Sequence, residues 1–167
     1  MRGTEAEGMT SPSTRRADDR DRGAAMVEFA LILPVLVALI FGIISYGYML
    51  SYRQGLSQGA SEAARAAAIV PSGMPAAAKL AKATTALNDA MGSYGVSCAG
   101  GVLRHDGAAS GSCSIQTSTA CPQDSSRRCA VVTVTHAYRA HPLISSFPGL
   151  GITLPENLSY TAVVEVN

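Results

Sequence analysis

The sequence has no tryptophan, only three phenylalanines and six tyrosines, and a charged fraction of 15% over 167 residues. Charge this sparse, against roughly 25% in ordinary soluble domains, excludes a disordered acidic or basic tail protein. Thirteen Lys and Arg face twelve Asp and Glu, for a net charge of +1. The basic stripe that a nucleic-acid partner requires is therefore missing. The chain also has no Gly-x-Ser-x-Gly elbow, no glycine-rich phosphate loop after a strand, and no carboxylate pair at helical spacing beyond its first 23 residues. Nothing in it points to catalysis or to a cofactor. Its four cysteines, Cys98, Cys113, Cys121 and Cys129, fit neither zinc spacing nor a Cys-x-x-Cys redox pair. His105, His136 and His141 form no recognised ligand pattern, so no metal is expected.

What is present is distributed very unevenly. Residues 1–23 hold Arg2, Arg15, Arg16, Arg20 and Arg22 against Glu5, Glu7, Asp18, Asp19 and Asp21, with no aromatic residue. Such a leader cannot bury enough to fold and is expected to be disordered or removed. Residues 24–50 carry one charge, Glu28, and the stretch Phe29–Leu50 carries none. As a helix those 22 residues would extend about 33 Å, enough for a hydrocarbon core of about 30 Å. Tyr46, Tyr48 and Tyr52 gather at its far end, where an interfacial aromatic belt belongs. A cleaved secretory signal would have a shorter apolar run closing on a small-x-small site; here the run closes on Tyr-Gly-Tyr-Met-Leu-Ser-Tyr. The segment reads as a retained single-pass anchor.

Four arginines between Arg15 and Arg22, against Arg53 and Arg65 beyond the helix, favour a cytoplasmic N-terminus. All four cysteines then lie outside the cytoplasm, where disulfides persist and where an aromatic-poor domain gains most from them. Four cysteines allow three pairings. Cys121 with Cys129 would close a short polar loop before the main strand, which mildly prefers that pairing.

Beyond the anchor the expected organisation is a helical continuation over 51–70 and a small α+β domain over 71–167. Gly55, Gly59 and Ala63 repeat at four-residue spacing and permit close helix packing. That packing is either against another subunit or against the protein's own sheet. Residues 75–91 form a second helix with Leu80, Ala83, Leu87 and Met91 on its apolar face, while Lys79, Lys82 and Asp89 face solvent. Strands are expected over 96–104, 111–119, 130–140 and 160–166, with a loop over 142–155. In the strongest of them Val132, Val134, His136 and Tyr138 share one face. Asn157-Leu158-Ser159 is an N-glycosylation sequon in form only.

The stretch Arg22-Gly23-Ala24-Ala25-Met26-Val27-Glu28-Phe29 resembles a type IV prepilin processing site. Over Gly23–Gly42, and again in Gln58-Gly59-Ala60-Ser61-Glu62-Ala63-Ala64-Arg65-Ala66-Ala67, the chain resembles the TadE-like family, pilin-like (pseudopilin) components of the tight-adherence or Flp pilus system. The leader departs from a typical one in its length and near-zero net charge. The resemblance implies a pilin-like fold, a long membrane helix followed by a small antiparallel-sheet head, in a bacterial cell membrane. It implies cleavage between Gly23 and Ala24 by a prepilin peptidase, and Glu28 beside Phe29 as the group that sets subunit register. Its implied partners are the membrane, other pilin or pseudopilin subunits and pilus assembly proteins. The alternative is an unprocessed envelope protein that anchors a binding head and never enters a filament.

Overall fold

The computed structural model describes residues 13–71, 73–144 and 153–166, with side chains from Gly23 onward. Helix α1 runs Ser13–Ala68 and helix α2 Ala76–Met91, followed by a 3-10 turn at Gly92–Tyr94. Five strands complete the chain: β1 Val96–Ala99, β2 Val102–His105, β3 Ala108–Ala120, β4 Arg128–His136 and β5 Leu158–Val166. They form one antiparallel sheet in the order β1-β2-β3-β4-β5. The architecture is α+β, a long apolar helix and then a small antiparallel head. The chain divides into two compact units, Met1–Ile40 and Phe41–Asn167.

Within the first unit α1 begins at Ser13, inside the stretch expected to be disordered or removed. Nucleation is the costly step of helix formation, and a polar stretch adjoining a formed helix can extend it without burying anything. Pro34 lies inside α1, as membrane helices tolerate. From Gly23 through Ile40 every side chain is exposed except the half-buried Val37 and Ala38.

In the second unit the helix changes character. Met49, Tyr52, Leu56, Ala60, Ala63, Ala64 and Ala67 are all buried, a stripe at three- and four-residue steps. It packs with Ala83, Leu87 and Met91 of α2 and with Val96, Leu103, Ala130, Val132 and Val134 of the sheet in one core. The alternation of β4 puts Ala130, Val132, Val134 and His136 inside, the period of two that its sequence carries.

Two local readings change. The expected strand over 96–104 is a hairpin, broken at Gly100 and Gly101, which have φ of 59° and 83°. A second tight hairpin follows at Asp106 (φ 48°) and Gly107 (φ 84°). Both are two-residue loops with two positive φ values, which Gly-Gly and Asp-Gly supply at the least steric cost. On α2, Lys79 is buried and Leu80 is 44% exposed, the reverse of the expected faces. The i, i+4 row 79-83-87-91 faces the core, and the long aliphatic stem of a lysine can lie along it. Residues 145–152 of the expected 142–155 loop lie outside the described residues.

Disulfides join Cys98 to Cys113 and Cys121 to Cys129, and no cysteine is free. The first ties β1 to β3 around the β1–β2 hairpin. The second closes the loop between β3 and β4. Chain-entropy arguments value closures of 15 and 8 residues at about 3 and about 2.5 kcal/mol. Replacing both Cys98 and Cys113 by Ala should therefore lower the unfolding free energy by about 3 kcal/mol, and replacing Cys121 and Cys129 by somewhat less. Denaturant unfolding of the oxidised proteins in detergent checks the order.

Candidate functional site

The residues with functional promise fall in two places: the exposed N-terminal part of α1, and the seam where α1 meets the sheet.

On α1, Gly23 has open space where a Cβ would stand, and Ala24, Glu28 and Phe29 are exposed. Phe29 is 63% exposed. Glu28 has no ion-pair partner among the described residues. Leu31, Ile32, Val35, Leu39, Ile43 and Ile44 are likewise exposed. A helix of this apolarity with none of its most apolar stretch buried is not the core helix of a soluble fold. It has the length and composition of a membrane span.

Gly55, Gly59 and Ala63 lie further along, within the second unit. A Cβ on Gly55 would stand 2.5 Å from Cε2 of Tyr94, and one on Gly59 would stand 3.2 Å from Cγ and Sδ of Met91. Ala63 is fully buried. The face cleared by these small residues is thus filled by α2 and the 3-10 turn of the same chain.

The seam holds a polar node that the sequence did not single out as one. Tyr52 of α1 and His136 of β4 are both fully buried, and the Tyr52 hydroxyl is 2.6 Å from His136 Nδ1. The other ring nitrogen, Nε2, is 2.9 Å from the carbonyl oxygen of His141. A carbonyl only accepts, so Nε2 carries the proton and Nδ1 accepts from the tyrosine. Tyr138 stacks on Tyr52 with ring centroids 5.9 Å apart, and Tyr94 meets it edge-on at 5.3 Å. Burial raises the Tyr52 pKa, with Tyr138 and Tyr94 adding to it. Burial also lowers the His136 pKa, partly opposed by the bond to His141 and reinforced by His105 and His141. Both groups are therefore held neutral. A neutral, doubly bonded pair joining helix to sheet is suited to fixing geometry.

A second missed contact is Asn88 on α2. Its side chain accepts from Cys98 N at 2.7 Å and donates to Cys98 O at 3.2 Å, holding the edge strand β1 as a neighbouring strand would. Only the long-range pairing identifies it. Among the described residues no group of three His, Cys, Asp or Glu converges to hold a metal.

These features define a class: a helix long and apolar enough to cross a membrane, continuous with a small disulfide-closed sheet head. Residues 23–65 match the model of the TadE-like protein family, the family that the Gly23–Gly42 signature resembles. No curated protein and no solved structure matches the chain.

Proposed function

We propose that this protein is a pilin-like subunit, a minor pseudopilin, that serves in assembling Flp (type IVb) tight-adherence pili. The TadE-like match over residues 23–65, together with a membrane-type helix, supports a membrane protein associated with that pilus system. The observation that carries the finer reading is Glu28, an acid without an ion-pair partner among the described residues, at the head of the uncharged stretch of α1 whose apolar side chains are exposed.

In this reading a prepilin peptidase hydrolyses the Gly23–Ala24 bond. Gly23 suits it, because a residue without a side chain admits close approach and weakens the local helix by about 1 kcal/mol. Hydrolysis creates an α-amino group on Ala24, roughly 6 Å along the axis from Glu28. The carboxylate pairs with the amine of a neighbouring subunit, and a mismatch would leave a charge unpaired among apolar side chains. That penalty fixes axial register. The N-terminus faces the cytoplasm and the disulfide-bonded head lies outside it. The role is assembly and adhesion or secretion, without catalysis.

Intact mass of the protein from its native host tests this. Chains beginning at Ala24 are expected. Chains beginning only at Met1, in cells that process their major pilin, would instead make it an unprocessed anchor for an extracytoplasmic binding head. The face at Gly55 and Gly59, already filled within the chain, is the feature that favours this second reading. Independently, Glu28→Ala should abolish piliation or reduce it at least about tenfold, the effect of leaving one charge unpaired; unchanged piliation removes the register role.

A further inference from the structure

A groove of about 680 Å³ runs between α1 and the edge strand β5, lined by Leu50, Arg53, Gln54, Ser57 and Gln58 of the helix and by Ser159 and Tyr160 of the strand. We propose that it is a binding site for the headgroup of an anionic glycerophospholipid, in the leaflet from which the head emerges. The proposal rests on the reading of α1 as a membrane span.

Position is the first argument. The expected span ends at Leu50, and at 1.5 Å per residue Arg53, the first charged residue after it, stands about 4.5 Å beyond it. Polar headgroups occupy about 5–7 Å on each side of the hydrocarbon core. The lower end of the groove therefore opens at phosphate depth. Charge is the second. Arg53 is the first cation after the apolar run, is exposed, and has no ion-pair partner among the described residues. The groove has no acidic residue in its lining. Chemistry is the third. Besides Arg53, the lining offers the amides of Gln54 and Gln58 and the hydroxyls of Ser57, Ser159 and Tyr160. These donors suit a phosphodiester and a hydroxylated headgroup. Tyr160 is 39% exposed, so its ring is free to lie along the glycerol backbone, as interfacial tyrosines do.

A strand from another protein added to β5 would cover the same floor. It would not need a cation there, and it would not favour the end nearest the anchor.

The test uses the full chain in nanodiscs of equal phosphatidylglycerol and phosphatidylcholine, with retained lipids counted by native mass spectrometry. The wild type should retain phosphatidylglycerol about five-fold over phosphatidylcholine, the preference one interfacial arginine confers. Arg53→Gln should abolish the preference. Arg65→Gln, with the same loss of charge farther along α1, should keep it. Tyr160→Ala, which changes no charge, should reduce it at least about two-fold. Equal losses in Arg53→Gln and Arg65→Gln, or no effect of Tyr160→Ala, would reduce the effect to general surface charge and overturn the site. Chains that enter nanodiscs without lipid preference, or that dimerise through β5 regardless of lipid, overturn the groove alone. Chains that fail to enter nanodiscs overturn the membrane span with it.

Discussion

His136→Ala is expected to cost the head about 3 to 5 kcal/mol, because it opens a ring-sized cavity and orphans two polar groups. The groups are the Tyr52 hydroxyl, 2.6 Å from Nδ1, and the His141 carbonyl, 2.9 Å from Nε2. Tyr52→Phe removes one hydroxyl and leaves Nδ1 unbonded, so it should cost about 1 to 3 kcal/mol. The pair also makes stability depend on pH with a definite sign. Burial sets the folded pKa of His136 below its usual 6.5. Between the two values the unfolded chain binds a proton that the folded one does not. Stability from this group is complete above about pH 6.5, falls as pH drops toward the depressed folded pKa, and levels off beneath it. Unfolding midpoints from pH 7.5 to pH 5 should show the fall in the wild type and lack that component in His136→Ala. An equal slope in both would place the titration elsewhere.

Gly111→Val should be as damaging or more so, at about 3 kcal/mol or above. Gly111 on β3 pairs with His136 on β4, and a Cβ there would strike the backbone carbonyl of Thr135 and stand 2.9 Å from the His136 Cα. A flexible side chain could move aside, but a ladder carbonyl cannot without breaking the sheet. Even Gly111→Ala should be poorly tolerated. Gly92→Ala, where a Cβ meets open space, should be nearly neutral. Thermal unfolding of the three variants ranks them; a stable Gly111→Val would mean that β3 and β4 separate there at little cost. Both large effects fall on the same node, since the close approach of β3 sets the backbone position of His136.

Much of this was legible beforehand where one residue pattern has one physical outcome. The charge-free run from Phe29 to Leu50 can only be a long apolar helix. The alternation of Val132, Val134 and His136 can only bury one face of a strand. The glycine pairs also carried their meaning, for Gly100-Gly101 and Asp106-Gly107 are two-residue hairpin signals. Reading through the first of them gave one strand where there are two. On α2 the expected apolar row Ala83, Leu87 and Met91 is buried and only Lys79 and Leu80 exchange places, because hydropathy ranks Lys79 below Leu80 while helical geometry places residue 79 in line with that row.

The sequence by itself determined the long apolar helix and the antiparallel head, because these depend on local composition and short periods. Only the tertiary structure decided which cysteines pair, that Tyr94 and Met91 fill the face left by Gly55 and Gly59, and that Tyr52 meets His136. Tyr52 and His136 are 84 residues apart in the chain. No local pattern can bring such residues together; that takes the packing of a whole helix on a whole sheet.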